Sequence, residues 1–247
     1  MNLIDCFERT YIINLAERGD RRRDMKKELA RCGLDVDGRQ RRWFRAVRPQ
    51  LAGGFPSVGV RGCFESHLSI IGEALHDDVD SVLVMEDDLC IDPRVIEAPL
   101  QMGRRLHDGD WQFAWLGHVD DMGRDVAAPA WRETSEALQT THFYAMHRSV
   151  LQPLYEYLHA CLQRPPGHSE GSPMHVDGAF SLFRRFNPDC ITLQSTPSLG
   201  WQRSSRSDIH PNRWFDRFAL LRPLAAHARS LKNIVVARER NHGGGHD

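Results

Sequence analysis

The stretch Ser81-Val82-Leu83-Val84-Met85-Glu86-Asp87-Asp88 sets a mostly apolar run directly against three consecutive carboxylates. Residues 81–85 have the length of a buried strand, and they follow a helix-like segment that ends near Leu75. In an open parallel sheet, ligands gather beyond the carboxyl ends of the strands. The sequence therefore predicts that the three carboxylates lie at a ligand-binding edge of an α/β sheet.

The three carboxylates are typical of a metal site, although an acidic turn that merely ends a strand remains the alternative. In an extended chain, Glu86 and Asp88 would share one face and Asp87 would point away. Adjacent negative charges repel one another unless a cation or hydrogen-bond donors offset them. Mg²⁺ and Mn²⁺ prefer oxygen ligands and are the natural cations for such a cluster.

Length and composition indicate one large α/β domain, with or without a small appendage. The chain has 247 residues, 41% of them hydrophobic, and a net charge of −1, which gives no field favouring nucleic acid or an acidic membrane. No apolar run approaches the roughly 18 residues that span a bilayer, and the first eight residues lack a signal-peptide pattern. Six cysteines without a CxxC pair favour reduced thiols in a cytosol over disulfides or structural zinc.

Local patterns predict alternating strands and helices along the chain. Strands are predicted at 10–15, 43–47, 81–85, 112–117, 138–147 and 190–193. Helices are predicted at 20–32 with Asp20 as the cap, at 63–75, 92–106 and 150–162, and from 174 onward. Loops are predicted at 49–62 and 163–173, and 123–136 is interpreted as an irregular segment over the site.

Two further clusters leave alternatives open. Arg18, Arg21, Arg22 and Arg23 flank a helix start, where guanidinium groups and amides suit phosphate, but a solvated basic turn is the alternative. Neither GxGxxG nor GxxxxGK[ST] is present, which weighs against a dinucleotide or P-loop site. Ser66 and His67 are adjacent in the chain and therefore poorly placed as a nucleophile–base pair, so a buried, hydrogen-bonded histidine is the simpler interpretation of His67.

Several short motifs follow one another along the chain: Tyr11-Ile12-Ile13-Asn14-Leu15 with Arg21-Arg22, Gly62-Cys63-Phe64-Glu65-Ser66-His67, Met85-Glu86-Asp87-Asp88, His142-Phe143-Tyr144-Ala145-Met146, Val176-Asp177, and Gln202-Arg203-Ser204-Ser205-Arg206-Ser207-Asp208-Ile209. In this order and at these spacings they resemble glycosyltransferase family 25, which includes bacterial lipooligosaccharide sugar transferases and collagen galactosyltransferases. Together they span about residues 10 to 209.

The resemblance implies an α/β fold of the GT-A-like, nucleotide-sugar-binding type, with a mixed central sheet and helices on both faces. This domain is expected over residues 1–211, followed by a helical appendage at 212–240 and a disordered tail at 241–247. The implied activity is transfer of a hexose, galactose or glucose, from a UDP-sugar to a saccharide hydroxyl, with inversion, in lipooligosaccharide biosynthesis.

The resemblance, together with the carboxylates, the net charge and the cysteine pattern, leads to the expected cofactor, partners and location. The cofactor is Mn²⁺ or Mg²⁺. The partners are the nucleotide-sugar donor and a glycan or lipid-linked glycan acceptor, with no nucleic acid. The expected location is cytoplasmic, with at most peripheral attachment to the inner face of the membrane, which the amphipathic segment 214–229 permits.

Residue roles are implied by the matching motifs. Asp88 binds the metal, Glu86 belongs to the ribose or metal shell, His175 closes the metal shell, and Asp177 is the first candidate for the base that an inverting displacement needs. The implied donor-binding residues are Asn14, Arg21, Arg22, Ser66, His67, Glu86, Asp87, Ser207 and Asp208. Arg21 and Arg22 are alternatively assigned to holding the first loop, and Ser207 and Asp208 to the acceptor.

Two hypotheses from other classes compete with the transferase interpretation. A metal-dependent phosphohydrolase or nucleotidyltransferase would use the same carboxylates and release phosphate or pyrophosphate without a sugar acceptor. A non-catalytic anion-binding protein on a transferase scaffold would use the arginines within 39–48 and show salt-steep affinity for polyanions.

Overall fold

The computed structural model describes residues 2–119 and 128–203, which form a mixed α/β domain. The strands are β1 (Arg9–Asn14), β2 (Arg41–Arg45), β3 (Ser81–Glu86), β4 (Leu89–Ile91), β5 (Phe113–Trp115), β6 (Ala130–Glu133), β7 (Phe143–His147), β8 (Thr192–Thr196) and β9 (Gly200–Gln202). The helices are α1 (Gly19–Arg31), α2 (Val58–His76), α3 (Leu100–His107), α4 (Arg148–Gln163) and α5 (Val176–Phe186). Short 3₁₀ turns lie at Leu3–Cys6 and Pro93–Val95.

Seven of these strands form one mixed sheet in the order β2-β1-β3-β7-β5-β8-β6. β2, β1 and β3 run parallel, so their carboxyl ends meet at one edge of the sheet. β7 is antiparallel to both β3 and β5, β8 is parallel to β5, and β6 is antiparallel to β8. The mixed central sheet expected from the sequence is confirmed.

Two apolar layers sandwich the sheet, because successive strand residues point to opposite faces. In β3, Val82 and Val84 pack into the layer that contains α2, α4 and α5. Leu83 and Met85 pack into the other layer, which contains Met25 and Leu29 of α1 together with residues of α3. The expected placement of helices on both faces is therefore confirmed.

Of the two predicted boundary residues of α1, the glycine stop is correct and the aspartate cap is not. Gly33 follows the helix with a φ of +70°, a conformation that glycine adopts without steric cost, so the predicted stop is confirmed. Asp20 is not the cap that was predicted. It lies inside the first turn and pairs with Arg18, whose position is the N-cap.

Helix α2 begins five residues earlier than predicted. The Ser57 side chain accepts a hydrogen bond from the Val60 amide at 3.1 Å and caps the helix there. The predicted loop at 49–62 is shorter for the same reason. Ser57 was not recognised as a cap because the glycine and proline residues around it predicted a loop over the whole of 49–62.

The predicted helix at 92–106 is wrong in its first half. Just before it, Leu89–Ile91 is a strand that was not predicted, and it pairs antiparallel with Gly200–Gln202 in a separate two-stranded sheet. Asp92 caps only a 3₁₀ turn, and α3 begins after Pro99, which has no amide proton to continue a helix from the preceding turn. Within the predicted irregular segment 123–136, residues Ala130–Glu133 form β6.

Several expectations concern residues outside the described ranges. These are the site residues Ser207 and Asp208, the helical appendage at 212–240, the tail at 241–247, and the first part of the irregular segment near residue 123. Across the described ranges, every helix is too short or too polar to cross a lipid bilayer.

Candidate functional site

A cavity of about 290 Å³ opens at the carboxyl ends of β1, β2 and β3. It is bounded by the β1–α1 junction, the segment after β2, the first half of α2 and the end of β3. Its lining residues include Leu15, Glu17, Arg21, Val47, Arg48, Pro49, Gly62, Cys63, Ser66, His67, Glu86, Asp87, Asp88 and Gln202. This is the edge at which the sequence predicted a ligand site.

All three consecutive carboxylates line this cavity, contrary to the predicted alternation. β3 ends at Glu86, and Asp87 and Asp88 form a turn into β4, so the two-residue periodicity of a strand stops before them. Asp87 accepts hydrogen bonds from Asn14 Nδ2 at 2.6 Å and from Arg21 Nη1 at 2.9 Å. Asp88 Oδ2 lies 3.2 Å from the same Arg21 nitrogen.

The three carboxylates differ in the direction and size of their pKa shifts. Burial raises the pKa of Asp88 to about 7, and the charge of Glu86 adds to this effect against the opposing Arg21. Burial also raises the pKa of Asp87, although Arg21 and Asn14 oppose the shift. The pKa of Glu86 is lowered, because nearby histidines and a hydrogen bond from Gln202 outweigh burial. Within the described ranges, buried Asp88 Oδ1 has no hydrogen-bond partner.

The α2 wall of the cavity is held by hydrogen bonds. Ser66 Oγ donates to the Gly62 carbonyl at 2.6 Å and accepts from the Val47 amide at 2.8 Å, so this hydroxyl ties α2 to the segment after β2. His67 is fully buried, with Nδ1 2.8 Å from Tyr144 Oη and Nε2 3.9 Å from Glu86 Oε1. His67 is therefore a buried, hydrogen-bonded histidine at the bottom of the cavity.

The two predicted phosphate-binding arginines have different surroundings. Arg21 lines the cavity beside Asp87 and Asp88. Arg22 is exposed, and its guanidinium lies 4.6 Å from the centre of the Trp43 ring, away from the lining residues. Arg48, which was not predicted, lines the cavity and pairs with Glu17.

The two predicted site residues of α5 do not line the cavity. His175 is exposed at the N-cap of the helix. Asp177 accepts hydrogen bonds from the Thr140 amide at 3.1 Å and from the Gly178 amide at 2.8 Å. Burial raises the pKa of the Cys63 thiol well above its usual value, and the negative charges of Glu86 and then Asp177 add to this effect. Asp177 is therefore close enough to act electrostatically on Cys63.

Gln202 and Cys63 are cavity residues that stood in quoted motifs without receiving a role. Gln202 Nε2 donates to Glu86 Oε2 at 3.1 Å from the short strand β9. Cys63 lies one helical turn before His67, a spacing that places both side chains on one face of a helix. That spacing was available in the sequence as a signal for a shared site.

A larger cavity of about 800 Å³ lies between α5 and the strands β6 and β8. It shares no lining residue with the first cavity, and none of the predicted site residues lines it. Arg184 at its wall is engaged with Thr192 Oγ1 and with the carbonyls of Thr134 and Glu136. The carboxylate cavity is therefore the candidate active site.

Comparison with known proteins supports a transferase relationship for the part of the chain that carries this site. Residues 7–122 match the family model described as glycosyltransferase family 25 (LPS biosynthesis protein). The matched segment contains β1, α1, β2, α2, β3 and the three carboxylates at the end of β3. The resemblance seen in the motifs is confirmed for this segment, which is similar to glycosyltransferase family 25.

Two curated relatives carry the description "Glycosyltransferase 25 family member". The protein from Aedes aegypti is 31% identical over 126 residues, covering 43% of this chain and 20% of the relative. The protein from Anopheles gambiae is 32% identical over 126 residues, covering 43% of this chain and 21% of the relative. The chain thus matches about a fifth of the length of these relatives.

Solved structures show only a distant likeness. A glycosyltransferase involved in glycosylation of the major capsid of PBCV-1 aligns over 60% of this chain and 65% of its own, with 13% identity and a TM-score of 0.37. The protein A197 from STIV aligns over 83% and 97%, with 11% identity and a TM-score of 0.40. Likeness at this level carries no argument about function.

Proposed function

We propose that this protein is a glycosyltransferase that moves a hexose, galactose or glucose, from a UDP-sugar to a hydroxyl of a saccharide acceptor with inversion. The observation that carries the proposal is the carboxylate cluster of the segment similar to family 25, gathered in a cavity with Arg21. Acceptors of the lipooligosaccharide type would be reached from the cytoplasm at the inner face of the membrane.

The carboxylates fit a hard divalent cation, Mn²⁺ or Mg²⁺. Asp88 combines a raised pKa with a buried oxygen that has no hydrogen-bond partner in the described ranges, and a cation would offset the charge that makes ionisation costly. Asp88 would hold the ion, with Glu86 in the metal or ribose shell. When bound, the ion would stabilise the charge that develops on the departing diphosphate.

The protein's own groups would handle the rest of the transfer. Asp87 holds the Arg21 guanidinium at the cavity wall, where it would face the donor phosphates. Asn14 supports Asp87 from the end of β1. Asp177 is proposed to take the acceptor hydroxyl proton in the displacement, from a position near Cys63 on the α5 side of the site. His175, Ser66 and His67 keep their assignments as hypotheses.

A binding screen with the full chain tests the donor and the metal. We expect UDP-galactose or UDP-glucose to raise the melting temperature only with Mn²⁺ or Mg²⁺, since a ligand at 100 times its Kd stabilises a fold by about 2.7 kcal/mol. Asp88→Ala should lose this metal-dependent shift. Asp108→Ala, at an exposed aspartate outside the cavity, is the matched control and should keep it.

Two results would contradict the proposal. One is the absence of a metal-dependent shift with every UDP-sugar tested, and the other is an unchanged shift in Asp88→Ala. Release of phosphate or pyrophosphate without a sugar acceptor would instead favour the phosphohydrolase or nucleotidyltransferase hypothesis. Asp177→Asn should keep the UDP-sugar shift in this screen but fail to transfer the hexose in an assay that supplies a saccharide acceptor.

A further inference from the structure

Three side chains that belong to two elements converge at the floor of the cavity. Cys63 and His67 lie one turn apart on α2, and Glu86 ends β3 beside them. One ligand atom from each, the cysteine sulfur, an imidazole nitrogen and a carboxylate oxygen, all lie within 4.8 Å of one another. We call these three residues the Cys–His–Glu cluster.

The imidazole of His67 is an independent sign that the cluster is built for a ligand. His67 has no exposed surface, and its Nε2 atom has no hydrogen-bond partner in the described ranges. The 3.9 Å separation from Glu86 Oε1 is too long for a hydrogen bond. A buried polar atom without a partner costs free energy, so one aimed at a thiol and a carboxylate requires an explanation.

The other ring nitrogen is already engaged. Nδ1 lies 2.8 Å from the hydroxyl of Tyr144, which is itself buried in β7. A partner on one ring nitrogen orients the imidazole and leaves the opposite nitrogen to face the cluster, which is how histidine ligands of metals are commonly held.

We propose that Cys63, His67 and Glu86 form a binding site for a thiophilic divalent cation, Zn²⁺. Thiolate and imidazole ligands favour zinc, whereas Mg²⁺ and Mn²⁺ favour all-oxygen sites such as the one proposed at Asp88. Three protein ligands leave the fourth tetrahedral position open toward the cavity.

The distances suit such an ion. Zinc bonds of about 2.0–2.3 Å place tetrahedral ligand atoms roughly 3.3–3.8 Å apart, close to the observed 3.9 Å between His67 and Glu86. The other separations, which are at most 4.8 Å, would need to shorten by no more than about 1 Å. Cys63 and Glu86 both line the cavity, so solvent and a cation reach the cluster from that side.

This site goes beyond the proposed transferase function and does not rest on it. All three of its residues line the carboxylate cavity, but the cluster does not include Asp88. Variants of Cys63 and of Asp88 therefore separate the two metal proposals.

The test is Zn²⁺ binding by the full chain, measured by competition with a chromophoric chelator in excess Mg²⁺, together with a Co²⁺ spectrum. We expect one equivalent of Zn²⁺ and a thiolate-to-cobalt charge-transfer band. Cys63→Ser should lower zinc affinity by at least about tenfold and abolish the band. Cys190→Ser, which changes a half-buried cysteine at the other cavity, is the matched control and should leave both unchanged.

Asp88→Ala should also retain zinc binding and the cobalt band. The proposal is overturned if the Co²⁺ spectrum of the parent lacks a thiolate band, or if Cys63→Ser binds zinc as the parent does. Loss of the band in His67→Gln, with an unchanged far-ultraviolet circular dichroism spectrum, would show that the loss does not arise from misfolding. A failure of UDP-sugar binding leaves these readouts unaffected, so failure of either proposal is recognisable by itself.

Discussion

Three adjacent carboxylates of this chain have three different surroundings. Glu86 faces His67 and Gln202 and keeps a lowered pKa. Asp87 is held by Asn14 and Arg21, whereas Asp88 has one oxygen near Arg21 and one buried without a hydrogen-bond partner in the described ranges. Asp87 thus contributes to the fold, and Asp88 carries a destabilising charge that a ligand would relieve.

This difference predicts unequal stability effects for two neighbouring variants. Asp87→Ala should lower the free energy of unfolding by about 1–3 kcal/mol, because Asn14 and Arg21 lose a buried partner. Asp88→Ala should leave stability near the parent value at pH 5. Urea unfolding of the metal-free proteins measures both, and equal losses in the two variants would refute the distinction.

The raised pKa of Asp88 predicts how stability changes with pH. With a pKa of about 7 in the folded chain and about 4 in the unfolded chain, folded Asp88 retains its proton where the unfolded residue has lost it. The contribution of Asp88 to the free energy of unfolding is fully present below about pH 4 and falls as the pH rises to 7. Asp88→Ala should therefore gain on the order of 2 kcal/mol relative to the parent between pH 5 and pH 8. A pH-independent difference in unfolding free energy would contradict this.

At the scale of elements, α2 positions the site because it approaches the segment after β2 closely. A Cβ atom added at Gly62 would lie 2.6 Å from the Val47 carbonyl oxygen and 3.2 Å from Pro49 Cδ. The hydrogen bond from the Val47 amide to Ser66 draws the same two elements together. The cavity wall at Val47 and Pro49 therefore depends on the absence of a side chain at Gly62.

Two glycine variants on this helix provide a matched test. Gly62→Ala should destabilise the fold by roughly 1–3 kcal/mol and weaken ligand binding in the cavity, because a backbone carbonyl cannot move aside cheaply. Gly72→Ala meets only the edge of the Tyr155 ring at 3.2 Å, and the better helix propensity of alanine offsets that contact. It should stay within about 1 kcal/mol of the parent. Thermal unfolding and UDP-sugar titration measure the two effects, and equal behaviour would contradict the role of Gly62.

At the scale of the whole molecule, one sheet is shared by two apolar layers. Each layer contains a fully buried tryptophan, Trp115 in the layer of α2, α4 and α5, and Trp111 in the layer of α1 and α3. Because every central strand contributes side chains to both layers, neither layer can lose its packing while the other persists.

Core truncations in the two layers should therefore act on one unfolding transition. Leu154→Ala in α4 and Leu29→Ala in α1 should each cost about 2–5 kcal/mol. Tryptophan fluorescence and far-ultraviolet circular dichroism should report coincident urea transitions in both variants. Leu51→Ala, at a side chain that is 74% exposed, is the control and should change stability by less than about 0.5 kcal/mol. Separate transitions for the two layers would refute the shared sheet as a single cooperative unit.

Much of the fold and part of the site were predictable because their signals are local. Three features depend only on residues adjacent in the chain, and each was placed correctly: the apolar run of β3, the glycine stop of α1 and the start of α5. The carboxylate edge followed from the same kind of signal, since strand ends and charged residues adjoin in the chain. The family motifs added the likeness that the match over residues 7–122 confirms.

The missed features depend on partners distant in the chain. β4 is a strand only because it pairs with β9, which lies more than a hundred residues later. The turn at Asp87 and Asp88 ended the alternation that a strand pattern would extend.

The sequence by itself determined most of the strands and helices of the main sheet, the run of three carboxylates and the family likeness, because periodicity, turn chemistry and charge act between neighbours in the chain. Only the tertiary structure decided that Asp87 binds Asn14 and Arg21 while Asp88 retains a raised pKa. It also decided that the thiol, imidazole and carboxylate of the Cys–His–Glu cluster converge. The physical reason is that burial and partner geometry arise only when separate elements pack against one another.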